Sequence, residues 1–207
     1  MIIALHGKKR SGKDTFAKFF HYYLIDKHYA FDVKKYAFAD EMKILLSKVY
    51  NIPLERFYAD KNFVTHIKWS DLSHFVHEDI ELTGIHQYMT VRQLLQQFGN
   101  RMRINWDDRF WILLVFNKIK FDDDVINIIT DIRYQNELIE CRSKGAICIK
   151  IKRQNEISDK HTSEAGINDN LFDYVLNAKE GINEYRRQVY QFLKNNFEDK
   201  FSANRTN

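Results

Sequence analysis

One stretch constrains this chain more than any other: IIALHGKKRSGKDTFAKFF, residues 2–20. Ile2 to Leu5 read as a short buried strand. Gly7 and Gly12 bracket a basic loop and Lys13 follows it. Phe16, Phe19, Phe20, Tyr23 and Leu24 then recur at helical spacing, marking one apolar face. A G-x-x-x-x-G-K loop between a strand and a helix is built to wrap an anion. The glycines let the backbone turn its N–H groups inward, and the helix presents its positive end to the same place. Lys13 is placed to reach the outer phosphates of a nucleotide and to follow their charge during transfer. The bland alternative is a basic turn flanked by glycines; the register of strand, loop and helix weighs against it.

Ser or Thr usually follows that lysine and gives a hydroxyl to Mg²⁺. Here Asp14 stands there, with Thr15 next. A carboxylate suits a helix N-terminus. Asp14 is therefore expected to hold a hydrated Mg²⁺ through water, and Thr15 to meet an α-phosphate oxygen.

The rest of the chain alternates strand and helix. FDVKKYAF, VINIIT, AICIKI and DYVLN read as strands, the middle two as apolar runs covered on both faces. RYQNELIECRSKG reads as a helix closed by Gly145, and a last helix carries Ile182, Tyr185, Val189, Phe192 and Leu193 inward. This rhythm predicts an α/β fold with a five-stranded parallel sheet flanked by helices. Residues 40–119 break it. They hold three helical patterns and no convincing strand: one through Met42, Leu45, Leu46 and Val49, one from Thr90 as N-cap to Gly99 as stop, and one through Phe110 to Leu114. An all-helical insertion in a single domain, 1–198, is the expectation, with 199–207 a disordered tail.

A chain of 207 residues, 44% hydrophobic with a net charge of +4, fits one globular domain. The balance suits an enzyme of anionic metabolites. Neither a basic stripe nor stacked aromatics on a sheet appears, which argues against a nucleic-acid partner. The opening apolar run is too short for a signal peptide and no stretch is long enough to span a membrane. Cys141 and Cys148 lack metal-ligand spacing and read as reduced core residues of a cytoplasmic protein.

GKKRSGKDT resembles the loop G-x-[KR]-x-S-G-K-D of tailed-phage deoxynucleoside monophosphate kinases, shared with phosphomevalonate kinases. TVRQLLQQFGNRMRINWDDRFW, IITDIRYQNELIECRSKGAICIKIKR and SDKHTSEAGI are similar to three further stretches of the phage enzymes, in the same order. The family's Gly-Thr pair reads Gly99-Asn100 here, and Arg101 follows where an acid is common. The resemblance implies a P-loop kinase fold, a helical acceptor-binding insertion and a short lid at 153–166. It also implies Mg²⁺- and ATP-dependent phosphorylation of a deoxynucleoside monophosphate, in the host cytoplasm if the source is viral. Homodimer formation is left open.

Such a transfer needs two anions held in line and the moving charge neutralised. Gly7, Arg10, Ser11, Gly12, Lys13, Asp14 and Thr15 would hold ATP, with Lys13, Arg10 and Arg133 acting on the transition state. By resemblance Lys9 faces the acceptor and Arg10 faces ATP. Lys43 reads as an acceptor-phosphate contact or a surface lysine. Arg92, Gln96 and Gly99 share a helix face that would line the acceptor site. Arg109 is a phosphate clamp with Asp108 as its orienting partner, or Asp108 is a plain helix-start charge. Trp111 reads as core. Asp131, at the end of its strand, would meet the acceptor's surroundings or the metal's water shell. Arg133 and Glu137 form an expected helical ion pair. In the lid, Lys160 and His161 would close over ATP, with Glu164 ordering the segment. Asn177 reads as an adenine neighbour or a turn residue. Phosphomevalonate kinase is the rival enzyme. A regulatory module that holds a nucleotide without transferring phosphate is the rival class.

Overall fold

The computed structural model describes residues 1–60, 62–71, 87–153 and 167–202. They form two compact units. One comprises Met1–Ala37 and Phe116–Asn207, the other Phe38–Val115.

The first unit is built on β1 (Ile2–His6), β2 (Asp32–Tyr36), β5 (Val125–Ile132), β6 (Ile147–Arg153) and β7 (Tyr174–Ala178), all parallel in the order β2-β5-β1-β6-β7. The apolar runs of β1, β5 and β6 take the buried centre, as their two-sided hydrophobicity requires. On one face pack α1 (Lys13–Asp26) and α7 (Ile182–Phe201). Phe16, Phe20, Tyr23, Val189, Leu193 and Phe197 join Ile3, Leu5, Ile149 and Ile151 in one core. Cys148 alternates with these β6 residues, so it points to the opposite face. There it neighbours Cys141 of α6 (Gln135–Ser143), and both thiols are buried. Burial pushes the Cys148 thiol up to about 12.

Two steps along β1, Ala4 to His6, match three along β5, Ile129 to Ile132. The extra residue is a bulge at the end of β5 that lies beside the glycine loop. His6 Nδ1 bonds the Ile132 carbonyl at 2.9 Å and its ring stacks on Phe172. Bulges of this kind re-aim side chains near sites.

The last helix runs past the boundary expected at 198. α7 runs to Phe201, which is fully buried against Phe20, Tyr23, Tyr29, Phe31 and Phe197. Burying a phenylalanine contributes roughly 1.5–3 kcal/mol, enough to hold a final turn that would otherwise fray. Ile182, expected inward, is 62% exposed at the first position of the helix.

The second unit holds α2 (Phe38–Tyr50), α3 (Leu54–Ala59), β3 (Val64–Lys68), β4 (Tyr88–Thr90), α4 (Val91–Asn105) and most of α5 (Phe110–Phe116). It is not all helical. β3 and β4 pair antiparallel, and in V-T-H-I-K the buried Thr65 and Ile67 alternate with exposed neighbours. Thr90 caps α4 as expected, in a reciprocal box with Gln93. Gly99, however, does not stop the helix. A Cβ there would stand 3.1 Å from Met42 Sδ, and the Gly99 carbonyl accepts the Trp111 indole N–H at 3.2 Å. The glycine is kept by close packing inside a helix that continues to Asn105. Val49, also expected on an inner face, is 60% exposed. Among the described residues no helix is long and apolar enough to cross a membrane.

Candidate functional site

The glycine loop leaves the carboxyl end of β1, where a parallel sheet offers its crevice. Gly7 has φ 158, and a Cβ on it would stand 2.4 Å from the Ile151 carbonyl oxygen and 2.5 Å from Ser11 Oγ. Only glycine fits. Arg10 and Gly12 take left-handed conformations, φ 64 and 104, so the chain folds back on itself before α1. The first intrahelical bond runs from Phe16 N–H to the Gly12 carbonyl at 2.8 Å. The N–H groups of Lys13, Asp14 and Thr15 precede it and point out of the helix start.

Three residues donate hydrogen bonds that brace the loop. Lys13 Nζ donates to the carbonyls of Gly7 and Lys8, the latter at 2.8 Å. Arg153, at the end of β6, donates to the Arg10 carbonyl at 3.3 Å. Ser11 N–H bonds the Lys8 carbonyl at 3.0 Å. Ser11 Oγ is different: it is buried with its residue 2% exposed, yet finds no hydrogen-bond partner among the described residues. An unpaired hydroxyl behind inward-turned glycines fits a phosphate oxygen.

Asp14 and Thr15 are hard oxygen donors, the kind Mg²⁺ takes through its water shell. The Asp14 side chain is 79% exposed and lies 3.4 Å from Lys35. Among the described residues no three His, Cys, Asp or Glu side chains gather to hold a metal unaided. The pair therefore fits an ion that arrives with a nucleotide's own phosphates.

Asp131 is the penultimate residue of β5, at the bulge, and Arg133 follows it with an exposed side chain. The expected ion pair with Glu137 takes another form. Glu137, 1% exposed, accepts the backbone N–H groups of Arg133 at 2.7 Å and Tyr134 at 3.1 Å. The carboxylate caps the start of α6 because the first N–H groups of a helix need acceptors. Asn177 lies within β7, extended and exposed, and its carbonyl accepts Gln188; it forms no turn. Lys160, His161 and Glu164 lie outside the described residues, as does all of 153–166 except Arg153.

The remaining candidates, Lys43, Arg92, Gln96, Gly99, Asp108 and Arg109, belong to the second unit. Lys43 is not a loose surface lysine. Its side chain is 11% exposed, 2.7 Å from Asp40 Oδ1, and 3.9 Å from the Tyr58 ring centre. Tyr58 donates to the same carboxylate at 3.0 Å, and its phenol is pushed up to about 12 by desolvation and then by Asp40. Arg92 and Gln96 stand one turn apart on α4, the first exposed, the second half-buried. Arg109 is gripped fork to fork by Asp107, through contacts of 3.2 Å from Nε and Nη2. Asp107 also accepts the Arg109 N–H at 2.8 Å, and the guanidinium holds its carboxyl below the ordinary 3.8. Trp111 is core, 2% exposed.

Sequence reading missed Tyr58, Asp107 and the inward hydroxyl of Tyr185. The D-D-R run offered a choice of two acids for Arg109. No local pattern ties Tyr58 to Lys43.

A five-stranded parallel sheet in this order, with a glycine loop and lysine after its first strand, defines the P-loop kinase fold. Residues 55–189 match the family described as deoxynucleotide monophosphate kinase, and the chain belongs to it. It is 24% identical to the deoxynucleoside-5'-monophosphate kinase of Escherichia phage T5, over 93% of this chain and 95% of that protein. It is 27% identical to the deoxynucleotide monophosphate kinase of Escherichia phage RB69, over 55% of this chain and 48% of that one.

Proposed function

We propose that the chain transfers the γ-phosphoryl group of ATP to deoxynucleoside 5'-monophosphates, giving diphosphates for DNA precursor synthesis. Family membership supports the reaction. The observation that carries the donor site is the buried Ser11 hydroxyl inside the glycine loop, which has no hydrogen-bond partner among the described residues.

An acceptor phosphate oxygen attacks the γ-phosphorus and the bond to the bridging oxygen of ADP breaks. No covalent enzyme intermediate is needed. Lys13 would move with the transferring charge, while Gly7, Gly12 and Ser11 hold the remaining phosphates. Arg10 and Arg133 would neutralise charge as it spreads. Mg²⁺, held with the nucleotide beside Asp14 and Thr15, would screen the phosphates from one another. The unit Phe38–Val115 would take the acceptor, with Lys43, Arg92 and Arg109 toward its phosphate, Gln96 toward its base and Gly99 lining the site; in the sheet unit, Lys9 would face the acceptor. Asp131 would face the acceptor or the metal's water, and Asn177 the adenine. The phage relatives support action in the cytoplasm of an infected cell.

The test is ADP formation from Mg·ATP with each deoxynucleoside monophosphate in turn, and with phosphomevalonate in parallel. Turnover with at least one deoxynucleotide supports the reading and defines its base range. Turnover with phosphomevalonate alone, or ATP binding with no turnover at all, overturns it.

A further inference from the structure

A peptide unit is planar, so whatever holds the carbonyl of one residue aims the N–H of the next. The carbonyl of Gly12 and the N–H of Lys13 form such a unit, at the point where the glycine loop becomes α1. Gly12 is the N-cap, and no side chain caps the helix there.

The Gly12 carbonyl takes two bonds. One is the helical bond from Phe16 N–H. The other comes from the phenol of Tyr185, 3.3 Å away and 173 residues distant in the chain. Tyr185 lies in the first turn of α7, is 5% exposed, and packs edge-on against Phe19 of α1. Its ring forms the wall behind the loop: Cε1 stands 3.1 Å from where a Gly12 Cβ would be. The left-handed turn at Gly12 and the ring at Tyr185 thus occupy complementary space.

We propose that Tyr185 is a positioning residue of the phosphate loop, its hydroxyl fixing the Gly12–Lys13 peptide so that the Lys13 N–H faces the phosphates of ATP. The carbonyl and N–H of a trans peptide point in opposite directions. A donor on the α7 side therefore turns the N–H toward the interior of the loop. This is support from behind, of the kind that keeps a binding geometry from loosening. The inference rests on the donor-site reading above.

Tyr185→Phe keeps the ring and its packing and removes only the hydroxyl. A 3.3 Å O–H···O bond is longer than the usual range for such a pair, so the effect is modest. ATP affinity, measured by calorimetry, is expected to weaken about three- to fivefold. The KM for ATP should rise in step, while the acceptor KM, kcat and the urea midpoint stay at wild-type values. An unchanged Kd for ATP overturns the proposal, and so does a fall in the urea midpoint without loss of ATP affinity. A wild type that binds ATP but phosphorylates no deoxynucleotide would sink the function proposed above and leave this comparison readable, because it is made in binding. A wild type that binds no ATP overturns both.

Discussion

Glu137 holds Arg133 by its backbone and not by its charge: the buried carboxylate accepts the Arg133 N–H at 2.7 Å and the Tyr134 N–H at 3.1 Å. Arg133 is thereby fixed in the chain while the residue stays exposed. Glu137→Ala would leave two N–H groups without their acceptor. We expect a loss of about 2–3 kcal/mol in urea unfolding, and about 1 kcal/mol for Glu137→Gln, which keeps one oxygen. Turnover should fall with the alanine variant as Arg133 loses its place. Matching urea midpoints for wild type and Glu137→Ala would show that the cap is dispensable.

Lys13→Ala should leave the circular dichroism spectrum unchanged and lower kcat at least about 100-fold, the scale of removing one charged group from a transition state. Lys13 Nζ bridges the Gly7 and Lys8 carbonyls, so a small loss of loop order is expected beside the chemical loss. Turnover like that of the wild type would end the assignment of the loop.

Arg109 is proposed to grip the acceptor's phosphate, and Asp107 sets the plane of its guanidinium. Arg109→Ala should raise the acceptor KM about tenfold or more, with the ATP KM unmoved. Asp107→Asn should raise it less, about two- to threefold, because the pair is solvent-exposed. An acceptor KM indifferent to both changes would remove Arg109 from the site.

Asp169 links two lysines of β6. Lys150 approaches it at 2.8 Å, Lys152 closes from the other oxygen, and together their hydrogen bonds hold its carboxyl at about 2 against an ordinary 3.8. Folding therefore favours the ionised form. The contribution is present above about pH 4 and fades as pH falls toward 2. Unfolding free energies of wild type and Asp169→Asn should converge across that acid window and differ above it. A difference that stays constant down to pH 2 would mean that the two lysines do not set this carboxylate's ionisation.

Gly99→Ala tests close packing in the second unit. The new methyl meets only the far end of the flexible Met42 side chain, at 3.1 Å. Helix propensity favours alanine by about 1 kcal/mol, so the two effects should nearly cancel. Gly99→Val adds bulk that Met42 cannot yield to, and we expect a loss of about 2 kcal/mol in thermal unfolding. Equal melting temperatures for the valine variant and wild type would contradict the packing.

The sheet was legible because its central strands are continuous apolar runs, a signal that survives without any partner. The glycine loop was legible because two glycines and a lysine must stand at fixed intervals. β3 and β4 escaped because they are five and three residues long and far apart in the chain. In β3 the buried Thr65 is polar while the exposed Val64 is apolar, so burial alternates without a matching alternation of hydrophobicity. Gly99 misled for a physical reason: the same residue ends helices and lets helices touch, and only the position of Met42 separates the two. Tyr185 showed its ring at helical spacing, but nothing local reveals that its hydroxyl meets Gly12. Asp107 stands two residues before Arg109, and its grip on the guanidinium depends on the turn that starts α5, which no local pattern reveals.

The two cysteines give the molecule a built-in reporter. Both are buried in the sheet unit, and their raised thiol pKa values keep them unreactive while it is closed. A thiol reagent applied under native conditions would label the chain only as fast as that unit opens, and the labelling rate would count its openings. The unit Phe38–Val115 has no cysteine. Its own excursions would pass unrecorded, so the labelling rate times the sheet unit alone, without an added probe.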